Sequence, residues 1–319
     1  MNINSNYIEN YSVLCAEKSF DGKSKNFNIA YSVDNNFIKY AIISIISIIS
    51  IIKNDKEKYH FHIFYSNISD DNLDKIKKLE LEGCALTLYK INVNIFKNMQ
   101  VKENLPISMY FRLIIPQVLH PFINKVLYLD ADIICINKLS DIFSYNLKNK
   151  IAGVINHAYI DPYVSSLPLN NTEYYFNSGV MLINTEEWKS NKILEKFLIK
   201  INESNYKYPD QDVLNILLEN KILYLDGKYN RFIENVRKND NTTLIHYTGT
   251  PKPWKAWYNN DDFFYRYFII SPWKEESLEL PETYKQAKIY STKLFKDNKF
   301  INAIYWCVIY CYWKIIGKK

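Results

Sequence analysis

Asp130 and Asp132 interrupt an apolar run, with residues 126–129 leading in and Ile133, Ile134 and Ile136 leading out. A lone ionised carboxylate in apolar surroundings is costly unless it is paired, hydrogen-bonded or metal-bound. Two side by side also repel each other. On an extended chain residues i and i+2 share a face, so both aspartates project together while Ala131 points away. Two such carboxylates make an oxygen-rich site for a hard divalent cation, which removes the repulsion. The competing reading is a pair of solvated turn aspartates.

An apolar strand ending in Asp-x-Asp also opens the phosphatases that use the first aspartate as nucleophile. Those need the motif on the first strand and a later acidic pair after another apolar strand. Here three strand-like runs come first, and the later doublet Asp261-Asp262 follows AWYNN. The phosphatase reading is set aside.

The elements that must aim the pair are legible as alternating patterns. FNIAYSV (27–33), YHFHIFYS (59–66) and ALTLYKI (85–91) read as buried strands. Between them, 40–52 reads as a core helix and 69–83 as a helix capped by Ser69 or Asp70 and stopped at Gly83. The segment 108–119 is helical in pattern until Pro116 interrupts it. Strands at 125–130, 151–156 and 175–184 follow, then a helix at 209–220 with acidic residues at its positive end. Alternation of this kind predicts a mixed, mainly parallel α/β sheet flanked by helices. Ligands of such sheets sit at the strands' carboxyl ends, where Asp130 and Asp132 fall. Residues 1–25 read as a polar, irregular leader, 26–275 as the catalytic domain and 276–319 as a basic, aromatic helical tail.

Composition narrows the function classes. The 319 residues are 48 % hydrophobic and 23 % charged, a folded globular balance. The net charge of +6 is scattered, and no nucleic-acid motif appears, so nucleic acid is not an expected partner. Cys15, Cys84, Cys135, Cys307 and Cys311 contain no CxxC pair and suggest a reducing compartment. The start lacks a signal-peptide pattern, and 40–52 is too short to span a bilayer. A cytoplasmic protein is expected, held peripherally at the inner membrane face if the tail's aromatic and lysine residues suit an interface. A C-terminal helix packed on the domain is the competing reading of the tail. With 7 glycines and no GxGxxG, a dinucleotide enzyme is not expected.

VLYLDADIIC, YYFNSGVMLIN, YPDQDVLN and IHYTGTPKPW, in this order and spacing, resemble glycosyltransferase family 8, and most closely its bacterial lipopolysaccharide galactosyl- and glucosyltransferases. The resemblance runs from about 27 to 257. It implies a GT-A fold, a UDP-glucose or UDP-galactose donor, a glycan acceptor (lipid-linked in lipopolysaccharide synthesis), Mn²⁺ or Mg²⁺, and retention of anomeric configuration. Asp130, Asp132 and His246 would hold the metal, and the imidazole favours Mn²⁺. Gly249 and Lys252 would face the diphosphate. Ser32, Asp34 and Asn36 would cradle the nucleoside; without the resemblance they form a plain Asx turn. Arg112 and Ala131 match positions near the donor. Asn177, Ser178 and Gly179 would line the sugar pocket, where the family often has Ala in place of Ser178. Asp210 would bind sugar hydroxyls and Gln211 would lie beneath the anomeric carbon, with Asp212 a fallback nucleophile. His157 stands near a position where the family often has Asp, which leaves the acceptor open. A non-catalytic nucleotide-sugar-binding homologue and a GT-A nucleotidyltransferase are the competing readings. The first conflicts with intact site positions. The second lacks a Gly-rich, Lys-containing loop after the first strand.

Overall fold

Each run of 26–184 that reads as a strand becomes one. The computed structural model describes residues 6–15, 26–52, 58–79, 81, 83–99, 106–156, 161–237, 240–258 and 262–318. The chain divides into two compact units, Met1–His246 and Tyr247–Lys319, so the division falls ahead of the boundary expected at 276.

In the first unit the order is β1 (Ile8–Cys15), β2 (Asn26–Val33), α1 (Ile38–Ile52), β3 (Lys58–Tyr65), α2 (Asp70–Lys77), β4 (Cys84–Ile91), α3 (Ile115–Leu119), β5 (Lys125–Leu129) and β6 (Ile133–Cys135). There follow β7 (Ala152–Asn156), β8 (Phe176–Asn184), α4 (Thr185–Ser190), α5 (Ile193–Lys200), α6 (Pro209–Leu218), β9 (Ile222–Tyr224), β10 (Arg231–Phe232) and β11 (Leu244–His246). Among the described residues, eight strands form one sheet in the order β1-β4-β3-β2-β5-β8-β7-β9, and β10-β11-β6 form a smaller one. The pairs β4-β3, β3-β2, β2-β5 and β7-β9 are parallel, whereas β1-β4, β5-β8 and β7-β8 are antiparallel.

Three local readings need correction. Residues 8–15, expected to be irregular, form an edge strand on β4; Tyr11 and Val13 stay exposed, so no apolar run announces it. Pro116 does not break a helix: a 3₁₀ segment covers Ile107–Leu113, and Pro116 sits in the first turn of α3, where its missing N–H costs nothing. The helix expected over 69–83 ends at Lys77, with Ser69 as its cap as expected.

Helix α1 is buried on opposite sides, with Ile42, Ile43, Ile45, Ile48 and Ile49 all in the core, which is what a helix apolar all round requires. Its serines satisfy buried polar groups. Ser44 bonds the Tyr31 hydroxyl at 3.0 Å, and Ser47 Oγ accepts the Cys135 amide at 2.9 Å. That second bond ties α1 to β6, the strand that leaves the Asp-Ala-Asp segment.

The second unit holds α7 (Asp262–Phe268), α8 (Tyr284–Lys296) and α9 (Phe300–Ile315). A capping box of Thr283 and Gln286 starts α8. Helices α8 and α9 pair through the buried Ala303, whose carbonyl accepts from Ser291 Oγ at 2.8 Å, and through Tyr290 edge-on to Trp306. The opposite stripe of α9 is left open: Ile301, Ile304, Tyr305, Val308, Tyr312 and Ile315 are all more than half exposed.

Candidate active site

Asp130 and Asp132 occupy the step where the chain passes from the large sheet to the small one. The β5-β8 pairing extends one residue further, with the Asp130 amide donating to the Gly179 carbonyl at 2.8 Å. Ile133 then opens β6, which pairs antiparallel with β11 and sets His246 opposite Ile133. That register delivers the imidazole to the carboxylates across more than a hundred residues of chain. His246 Nε2 lies 3.2 Å from Asp132 Oδ1 and 3.9 Å from Asp130 Oδ2.

The other ring nitrogen is fixed. Asn230 donates its amide N–H to Asn177 Oδ1 at 3.1 Å, which turns its own Oδ1 to His246 Nδ1 at 2.8 Å. Nδ1 therefore donates in this network, which leaves Nε2 as the ring atom facing the two carboxylates. Two carboxylates and an imidazole nitrogen directed at one point could serve as a cation's donor set, with ligand atoms within 4.8 Å of one another. Gly179 completes the fit. A Cβ there would stand 2.4 Å from His246 Cε1 and 2.6 Å from Asp130 Oδ2, so only glycine lets the strand back onto this point.

Behind the pair lies Arg112, 5 % exposed. Its guanidinium donates to Asp130 Oδ1 at 2.9 Å and to the Ser178 carbonyl and hydroxyl at 3.0 and 2.8 Å, and pairs with Asp210 Oδ2 at 3.2 Å. Nε bonds the Met109 carbonyl, and the group stacks over Tyr128 at 4.6 Å. Arg112 thus holds two carboxylates in place from the inside. Tyr128, whose hydroxyl burial pushes far up, stays protonated and donates to Asp130 Oδ1 at 2.6 Å. The same hydroxyl meets Ser32 Oγ at 2.9 Å, which connects the end of β2 to the cluster. Ala131 is 9 % exposed and turned inward, as the i/i+2 alternation requires.

The residues expected to line the sugar pocket form a connected network. Gln211 Oε1 accepts from Asn177 Nδ2 at 2.9 Å and the Ser178 amide at 3.2 Å, while its Nε2 donates to Tyr175 OH at 2.8 Å. Asp210 accepts from Ser178 Oγ at 3.3 Å. Asp212 is fully buried, and its carboxylate takes the Tyr175 and Tyr163 hydroxyls and the Tyr208 amide. Burial still raises its pKa, against the pull of those donors. A carboxylate so enclosed organises the start of α6 and is out of reach as a nucleophile.

At the end of β2, Asp34 makes the Asx turn: its Oδ1 accepts from the Asn36 and Phe37 amides at 2.9 and 3.1 Å and caps α1. Its Oδ2 takes the Ser108 hydroxyl at 3.4 Å, and the Asn36 side chain is exposed. Gly249 and Lys252 belong to the second unit, where Gly249 has φ +72° and the Lys252 ammonium donates to the Tyr247 carbonyl at 2.6 Å. His157 lies outside the described residues. His62 is a core histidine that bonds Tyr89 OH and Asn28, and His60 beside it is half-buried, with burial holding it down at about 4. Tyr128, Tyr175 and Asn230 escaped the sequence reading. Tyr128 alone left a signal, since it stands two residues before Asp130 on the same strand face.

The architecture is shared with solved glycosyltransferases. A galactosyltransferase structure, LgtC in complex with donor and acceptor sugar analogs, superposes with a TM-score of 0.65 at 22 % identity, covering 80 % of this chain and 98 % of that one. The fold is GT-A. The sequence pattern of Glycosyl transferase family 8 matches residues 28–258, and that of the Glycosyl transferase family 8 C-terminal region matches 258–314. A lipopolysaccharide 1,2-glucosyltransferase of Escherichia coli is 30 % identical over 89 % of this chain and 90 % of its own. A lipopolysaccharide 1,3-galactosyltransferase of Salmonella typhimurium is 28 % identical over 89 % and 90 %. The chain belongs to glycosyltransferase family 8.

Proposed function

We propose that this protein is a metal-dependent, retaining hexosyltransferase. It moves glucose or galactose from a UDP-sugar to a glycan hydroxyl in lipopolysaccharide-type synthesis. One observation carries the reading: the Asp130–Asp132–His246 donor set is linked through Asn230 and Asn177 to Gln211, whose amide oxygen is fixed by Asn177 and Ser178. The names of the two relatives support the sugar and the acceptor class.

Asp130, Asp132 and His246 hold the cation, and an imidazole in the set favours Mn²⁺ over Mg²⁺. A cation held there would supply the positive charge that offsets the departing diphosphate. Arg112 pairs with Asp130 and Asp210 and aims them, Asp210 toward the sugar hydroxyls. Asp34, Asn36 and Ser32 hold the nucleoside, and Gly249 and Lys252 are assigned to the diphosphate. A neutral amide is a poor nucleophile, so Gln211 supports the oxocarbenium-like sugar with its carbonyl. The acceptor oxygen bonds the anomeric carbon on the face that UDP leaves, and its proton passes to a phosphate oxygen of UDP.

Hydrolysis of a panel of UDP-sugars, with Mn²⁺ supplied or chelated, tests this reading. Turnover of UDP-glucose or UDP-galactose that stops on chelation is the expected result; no turnover of any UDP-hexose overturns it. Gln211→Ala is expected to lower kcat about a hundredfold with little change in donor affinity. An unchanged kcat removes Gln211 from the mechanism.

The tail adds a location. No helix among the described residues is long and apolar enough to cross a membrane. The exposed stripe of α9, with the ammonium groups of Lys288 and Lys314 over the Tyr310 ring and that of Lys318 over Trp313, suits the surface of an anionic bilayer. Replacing Ile301 and Ile315, 86 % and 84 % exposed, by Asp is expected to cut sedimentation with anionic liposomes at least tenfold while UDP-sugar hydrolysis persists. Equal sedimentation of variant and parent would argue against the contact.

A further inference from the structure

A second concave site lies at the β9 edge of the large sheet, in the first unit. It encloses about 370 Å³ and is walled by Tyr174, Tyr224, Asn171, Lys150, Asn215 of α6 and Glu219 at its C-cap. Two of its walls are aromatic rings open to solvent. Tyr174 and Tyr224 are 52 % and 37 % exposed and stack at 5.4 Å with 30° between their planes. The Tyr224 hydroxyl donates to the Tyr174 carbonyl at 2.8 Å, which fixes the pair as a platform. Glu219 is held as firmly: it accepts from the Asn170 amide and side chain, both at 2.7 Å, and from the Asn171 amide at 3.2 Å. A rigid aromatic face beside amide, carboxylate and ammonium groups matches a hexose ring, which offers a C–H face for stacking and hydroxyls around its rim.

The site is wired to the reaction centre by one helix face. Gln211, Asn215 and Glu219 fall at i, i+4 and i+8 along α6 and its C-cap, so they line up along one side. Asn215 binds the Gln211 carbonyl and both backbone groups of Phe176, the residue before Asn177. The cleft therefore runs from about 6 Å along the helix from Gln211, at Asn215, to about 12 Å, at Glu219. That span suits a saccharide chain whose reacting end is at Gln211.

We infer that this cleft is an acceptor subsite that stacks a hexose ring remote from the hydroxyl being glycosylated. The inference rests on the proposed hexosyl transfer. Its binding energy is spent on positioning the acceptor, so it governs acceptor affinity and leaves donor activation alone.

The test compares the parent protein with Tyr174→Ala/Tyr224→Ala and with Tyr224→Phe. Each is assayed for Mn²⁺-dependent UDP-hexose hydrolysis. Each is also assayed for transfer to deacylated lipopolysaccharide core oligosaccharide and to a single-hexose methyl glycoside. The double variant is expected to raise KM for the oligosaccharide about tenfold, with hydrolysis and transfer to the methyl glycoside unchanged; Tyr224→Phe, which keeps the ring but loses the bond to the Tyr174 carbonyl, falls between the two. Intact hydrolysis with an unchanged oligosaccharide KM overturns the subsite and spares the hexosyltransferase reading. Absence of hydrolysis in the parent overturns both. If the double variant does not fold, Lys150→Trp, which fills the cleft from its rim, decides the matter by the same KM.

Discussion

Asp132→Ala is expected to abolish Mn²⁺-dependent turnover, by a thousandfold or more, and with it the Mn²⁺-dependent part of UDP binding. The magnitude follows from the several kcal/mol a divalent cation contributes to a departing diphosphate, at about tenfold per 1.4 kcal/mol. Asp132 is the cleaner of the two aspartates to remove. Asp130 also answers the buried Arg112 and the Tyr128 hydroxyl, so its loss leaves a buried cation short of one partner and destabilises the fold. Calorimetry of UDP binding with and without Mn²⁺, beside the hydrolysis rate, checks the result. Full activity in Asp132→Ala, or in the parent with its metal chelated, would refute the metal assignment.

Gly179→Ala is expected to be nearly as severe, although it adds one methyl group. That methyl would overlap the His246 ring and the Asp130 carboxylate, at 2.4 and 2.6 Å. The strand cannot retreat, because the Gly179 carbonyl accepts the Asp130 amide and its own amide bonds Asn177 Oδ1. The imidazole must move instead, so metal affinity and activity are expected to fall at least a hundredfold in a chain that still folds. Gly153→Ala is the control. Its methyl would meet the ends of the flexible Leu225 side chain, at 2.9 and 3.1 Å, which can turn aside. Comparable metal affinity in the two variants would show that the close approach at Gly179 does not matter.

How far the site could be read in advance varied with the kind of signal. Asp130 and Asp132 stood out because a strand's two-residue period forces them to one face, and the apolar run around them made the charge conspicuous. Tyr128 obeyed the same period but is a common residue in this chain. Asn230 gave no local signal at all: it matters only once β11 lies against β6 and turns His246 toward it. The long central strands were legible from their apolar runs, whereas β6, β9, β10 and β11 have two or three residues each and are too short to show a period. Strand β1 was hidden for a different reason, because an edge strand with exposed Tyr11 and Val13 has one buried side or less to advertise.

The β6-β11 register has a thermodynamic side. It draws the proposed third ligand, His246, from the last residue of the first unit, and the proposed carboxylate ligands from the middle of the chain. A cation held there would act as a reversible clasp on a loop of more than a hundred residues, much as a cross-link restricts an unfolded chain. Folding would then be linked to metal supply, growing by RT ln(1 + [M]/Kd), or about 2.7 kcal/mol at a hundred times Kd. The ion that serves the leaving group would also be part of what keeps the two sheets shut.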